Sequence, residues 1–239
     1  MNLTYKKGQI TLFVIVGIII VLLVGVGVYY RFHSGKNSGT NVIAMSDEEY
    51  NVRMVVQECF EQTLDEGITL AQQQSGNVFL PRNVMNFEGV QIPYIYEEGL
   101  ASIIKEQELE QELERYVDTN IQSCVNTTQA TFEKPNSDVR LTETGVNARL
   151  SYLFSIMKEE TTIRNTDPYT TTRTVPMKQF LALMQTIGEA TLRDPSSIPI
   201  GLLINQKTFK TETVPLNDEV LYSLETEKNE LYLFSVRIK

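Results

Sequence analysis

Residues 46–76 read "SDEEYNVRMVVQECFEQTLDEGITLAQQQSG". Val52, Val55, Val56, Cys59, Thr63, Gly67 and Leu70 recur at helical spacing and give the segment one apolar side. Ser46 with Glu49 three residues on makes a capping-box pattern, and Asp47 and Glu48 complement the positive end of the helix dipole. Gly76 suits the position just past the helix end. Gly67 inside the helix costs about 1 kcal/mol against alanine, which points to a close packing contact there.

Cys59 lies on that apolar side, and the chain has one other cysteine, Cys124. A second helical pattern runs from about Leu100 to Val125, with Leu109, Leu113, Tyr116, Val117, Asn120 and Cys124 along one side. If the two sides face each other, the thiols come within the roughly 4–7 Å Cα separation that a disulfide needs. Closing a loop of about 65 residues contributes around 4 kcal/mol in the chain-entropy model. The alternative is two buried thiols acting as small hydrophobes. Glu106, Glu108, Glu110, Glu112 and Glu114 spread over the other sides of this helix and read as a solvated face. A calcium site would need a denser Asp/Asn/Gly loop.

Between the helices, residues 77–96 read as extended. Pro81, Gly89 and Pro93 break any helix, and "VQIPYIY" has strand composition. In the C-terminal half, "VNARLSYLFSIMK" reads as one strand, and "ETTIRN" and "YTTTRTV" as strands divided by an Asp167-Pro168 turn. A helix follows over Met177–Arg193, with Phe180, Leu181, Met184, Ile187 and Leu192 inward. "FKTETV", "EVLYSLET" and "ELYLFSVRIK" read as strands, the last two forming a hairpin turning at Glu227-Lys228-Asn229. The expected fold is α+β: a helical pair with an extended segment over 46–128, then an antiparallel sheet with a helix over 129–239.

Toward the N-terminus, residues 31–45 have linker composition ("HSGKNSGTN" over 33–41). Before them, Ile10 to Tyr30 is a 21-residue run without a formal charge. As a helix it is roughly 31 Å long, enough to span a bilayer core. Tyr29 and Tyr30 suit the interface at its far end. Residues 1–9 form a short basic segment with Lys6 and Lys7, and no acidic residue precedes Asp47. The net charge is −9; setting aside Lys6 and Lys7 from the 21 basic residues leaves 19 against 30 acidic ones, a net of −11. A body this acidic repels phosphate backbones, so nucleic acid is an unsuitable partner. The expectation is a single-pass membrane protein with a cytoplasmic N-terminus and an extracytoplasmic body, whose partners are the lipid bilayer through residues 10–30 and a protein or glycan at the cell surface.

"KKGQITLF" is similar to the class III leaders of archaeal type IV pilins, a resemblance that implies cleavage between Gly8 and Gln9 and self-association into a filament. Phe13 stands where many pilins carry a glutamate, and the 33–41 linker interrupts what is usually a continuous helix. The longer set "KKGQITLFVIVGIII", "VVQECFEQTLDEGITLAQQQSG", "IPYIY" and "YVDTNIQSCVN" resembles a family of single-pass surface proteins of small-genome archaea. That resemblance spans most of the chain and implies location and architecture, without an activity.

The residues supply little for catalysis. His33 is the one histidine and lies in the linker, where it cannot hold a base in register with a nucleophile. Two cysteines alone make no zinc site, so no metal or cofactor is expected. Ser102-x-x-Lys105 and Ser155-x-x-Lys158 have the spacing used by serine acyl-transferases, the first read on a helix and the second in a strand. Glu97-Glu98 is a candidate pair for a carboxylate-based envelope hydrolase. Tyr94 and Tyr96 suit a sugar- or peptide-binding groove, or else sheet packing. Asn126-Thr127-Thr128 is a glycan sequon just past Cys124, and Asn2-Leu3-Thr4 is a second one on the expected cytoplasmic side.

Overall fold

A computed structural model describes residues 47–127, 130–158, 161–195, 199–204 and 207–238. The expected membrane helix (10–30), linker (31–45), leader site (Gly8, Gln9) and Ser46 cap lie outside the described residues. Among the described residues no helix is long and apolar enough to cross a membrane.

The first helix, α1, runs Asp47–Gln73 and buries Val52, Val56, Cys59, Phe60, Thr63, Leu64, Gly67, Ile68 and Ala71. Its end is the one anticipated: Gly76 has φ +82° and donates its N–H to the Ala71 carbonyl, which closes the last turn. After it come β1 (Val84–Phe87), β2 (Val90–Glu97) and a two-residue β3 (Leu100–Ala101). The second helix, α2, runs Glu106–Cys124. It starts later than the periodicity predicts, because the Glu98-Gly99 turn folds Leu100–Ala101 back onto β2 as a strand. Glu108 accepts the Lys105 backbone N–H, one half of a capping box, and fixes the actual start.

Beyond α2 lie β4 (Thr131–Phe132), β5 (Asn136–Thr142), β6 (Gly145–Ser151), β7 (Phe154–Lys158), β8 (Thr161–Asn165) and β9 (Tyr169–Arg173). The single strand expected from "VNARLSYLFSIMK" is two, β6 and β7, broken at Tyr152-Leu153. Tyr152 is buried against Phe132, ring centroids 4.8 Å apart, and the chain changes sheets there. Helix α3 spans Met177–Arg193 as expected, with Phe180, Leu181, Met184 and Ile187 buried, whereas Leu192 points to solvent. A short α4 (Ile200–Ile204) precedes β10 (Lys210–Leu216), β11 (Glu219–Glu225) and β12 (Leu231–Arg237).

The strands form three sheets. The largest has the order β1-β2-β12-β11-β10 with β3 on β2; the others are β4-β7-β8 and β5-β6-β9. All pairs are antiparallel except β12 with β2, which are parallel, so the sheet is not wholly antiparallel as expected. That pair also places residues from either side of position 128 in one sheet. The sequence division there is not a division in space.

One core joins α1, α2, α3 and the sheets, with a ring cluster of Phe180, Phe209, Tyr222, Tyr232 and Phe234 on the α3 side of the large sheet. Gly67 meets its expected close contact: a Cβ there would lie 3.1 Å from Tyr116 and 3.2 Å from Leu113 on α2.

Candidate functional site

Cys59 and Cys124 form a disulfide, Cα atoms 5.6 Å apart, joining the middle of α1 to the end of α2. Both positions lie where the two helices pack, as helical spacing from Val52 and Leu109 dictates.

Of the five α2 glutamates expected to form a solvated face, Glu106 and Glu108 are exposed, whereas Glu110, Glu112 and Glu114 are not. Glu110 Oε1 accepts the Leu141 N–H at 2.7 Å, Glu114 Oε1 the Val139 N–H at 3.0 Å and Asp118 Oδ1 the Ser137 N–H at 2.8 Å. The acceptors recur every fourth residue on a helix and the donors every second residue on a strand. These repeats, about 6 Å and about 6.6 Å, nearly match. The row therefore covers the edge of β5, whose N–H groups would otherwise lack a strand partner. Arg140 reaches Glu110, Glu114 and Asp138, which offsets the crowding of negative charge. Burial raises the Asp118 pKa despite the Ser137 hydrogen bonds. Glu112 accepts the Val78 and Phe79 N–H groups, and Glu106 pairs with Lys178 on α3. Periodicity carried a signal for this: residues 110, 114 and 118 run directly beside the 109, 113, 117 and 121 stripe.

The opposite edge of that sheet is held by α1. Gln57 donates to the Thr170 carbonyl, and Arg173 pairs with Glu61 and Asp65. A hydrogen bond from Gln57, together with Arg173, keeps the Glu61 pKa below its ordinary value against the effect of burial. The β5-β6-β9 sheet thus lies between two helices that the disulfide links.

Tyr94 and Tyr96 are both buried, but Tyr94 also borders an open cleft of about 670 Å³ beside α2, which Tyr96 does not line. Tyr96 belongs to the main core, and Tyr94 to a smaller cluster with Met85, Ile92, Leu221 and Leu233. The Tyr94 hydroxyl donates to Glu219 and accepts from Arg237, whose guanidinium also lies 4.3 Å from the Tyr94 ring centre. Burial, reinforced by Glu219, pushes the Tyr94 pKa up to about 12. Arg237 also binds Glu97, which takes a second hydrogen bond from Asn83. Glu98 sits exposed in the adjoining turn, so Glu97-Glu98 does not form a facing carboxylate pair. Burial raises the Glu219 pKa, but hydrogen bonds from Tyr94 and Arg237 and the Arg237 charge outweigh it, leaving the net shift downward. Glu97 and Glu219 are both bound by Arg237, and the lowered pKa of Glu219 is the opposite of what a general acid needs.

The Ser-x-x-Lys pairs fare no better. Ser102 is in the extended segment before α2, not on a helix, and Lys158 pairs with Glu48 at 2.8 Å. Among the described residues no three His, Cys, Asp or Glu side chains group to hold a metal ion. Two open clefts flank residues 101–105, of about 490 and 670 Å³; the first runs along Lys178, Ala182 and Gln185 of α3, the second along Glu108, Glu112 and Arg115 of α2. Asn126 is exposed in the turn after α2. Comparison with family models, curated proteins and solved structures returned no match.

Proposed function

We propose that the chain is a membrane-anchored extracytoplasmic module of the cell surface with a structural or interaction role rather than an enzymatic one. The Cys59–Cys124 disulfide carries this reading, because such bonds persist in oxidising compartments outside the cytosol. The uncharged run over residues 10–30 supplies the anchor, and the linker over 31–45 holds the acidic body off the lipid surface. The strongest acidic clusters act in folding: α2 caps a strand edge, Glu61 and Asp65 hold Arg173, and Glu97 and Glu219 hold Arg237.

The test is fractionation of cells making the full chain, with protease added outside. The chain should stay in the membrane pellet through an alkaline carbonate wash, and external protease should release a fragment that includes residues 47–239. A carbonate-soluble, protease-protected chain would refute the reading. The leader gives a second reading, a pilin-like filament subunit. A mature N-terminus at Gln9 would support it, and an intact Met1 would remove it.

A further inference from the structure

We propose that Asn126 is an N-glycosylation site, carrying a sugar chain beside the Cys59–Cys124 disulfide. The inference rests on the extracytoplasmic reading above. Helix α2 ends at Cys124, and Val125, buried, closes it by donating its N–H to the Ile121 carbonyl. The next residue turns outward: Asn126 is exposed, its N–H donating to the Cys124 carbonyl at 2.8 Å. The sequon Asn126-Thr127-Thr128 therefore begins where the chain has left both helix and core, so a bulky hydrophilic group attached there displaces no packed atom. Many asparagines of the body lie on strands or helices, and none of the described ones besides Asn126 begins an Asn-x-Ser/Thr sequence.

The co-reactant is a polyprenyl-phosphate-linked oligosaccharide, used by a membrane transferase. The Asn126 amide nitrogen attacks the anomeric carbon of the first sugar. The bond from that carbon to the phosphate oxygen breaks, the lipid phosphate leaves with the electron pair, and one amide proton passes to a base of the transferase. Nothing is oxidised or reduced. Asn2-Leu3-Thr4 is an internal control, since it precedes the basic pair Lys6-Lys7 and stays on the donor-free side.

The experiment is mass spectrometry of the full chain from membranes of cells that N-glycosylate their envelope proteins, digested with trypsin without reduction. Cleavage yields residues 116–140 disulfide-linked to residues 54–82. The expected result is that this linked pair is heavier by one or more sugar residues, and that Asn126→Gln and Thr128→Ala return it to the bare mass with the disulfide kept. A linked pair found wholly at the bare mass in the natural sequence overturns the glycosylation site and leaves the extracytoplasmic reading intact. Free thiols in both peptides, or sugar on Asn2 with Asn126 bare, overturn that reading and the site with it.

Discussion

The edges of β5 and β10 pose the same problem and are treated differently. Each ends a sheet and would present unpaired backbone groups. The β5 edge is covered by Glu110, Glu114 and Asp118 from α2, a helix twelve residues upstream of the strand. The β10 edge protects itself: it carries Lys210 paired with Glu212 and Glu225, and Pro215, which has no N–H to offer. A borrowed cover is only as secure as the hold on the helix that lends it. That hold is the disulfide at the end of α2 and the close packing at Gly67, so damage to α2 should reach β5 and spare β10.

The largest effect is expected from Cys59→Ser with Cys124→Ser. Loss of a cross-link closing 65 residues should cost about 4 kcal/mol in urea unfolding. Hydrogen exchange should quicken at the amides of Ser137, Val139 and Leu141 before those of β10 and β11; uniform quickening over all sheets would break the comparison. Glu110→Ala should come next. It strands the Leu141 N–H beneath a helix and should cost about 1–3 kcal/mol, whereas Glu212→Ala on the exposed β10 edge should stay within about 0.5 kcal/mol. Equal costs would mean that the α2 row is ordinary surface.

Gly67→Ala sharpens the same point. The helix gains about 1 kcal/mol of propensity, but the new Cβ would press on Tyr116 and Leu113, at a cost of about 1–3 kcal/mol. A net loss near 1 kcal/mol is expected by thermal unfolding, and a gain would show that α1 and α2 part easily. The smallest effect concerns acid and the large sheet. The Glu219 pKa is lowered on folding, so its contribution is present above its ordinary value of 4.5 and is lost as pH falls through the folded-state pKa. Unfolding followed between about pH 6 and pH 3 should show this decline in the natural sequence and a shallower one in Glu219→Gln. An unchanged slope would remove Glu219 from the account.

Much of the architecture was legible because periodicity and stop signals agree locally. Met177–Arg193, the Gly76 end of α1, the final hairpin and the inward setting of both cysteines all follow from spacing alone. Most of the failures share a physical cause: they depend on a partner remote in sequence. The one signal within residues 106–118, the place of 110, 114 and 118 beside the apolar stripe, does not say that the carboxylates meet β5 amides, since glutamates on a helix ordinarily face water. For Tyr94 and Tyr96 the sequence leaves groove and packing both open, and it is β12, alongside β2, that buries them. The late start of α2 is a local miss instead: the Glu98-Gly99 turn pairs Leu100–Ala101 with the neighbouring β2, and 102–105 stay extended. The Arg237 cluster was missed entirely, because it assembles residues 83, 94, 97, 219 and 237 from both ends of the body.

The most direct measurement of the central claim is a count of free thiols in the full chain as it leaves the cell. Membranes are taken up in denaturant and treated with a polymer-tagged maleimide, with and without prior reduction. The account predicts no shifted band before reduction and a two-tag shift after it, in the membrane fraction. Two tags without reduction, on a chain recovered from the soluble cytosolic fraction, would contradict it.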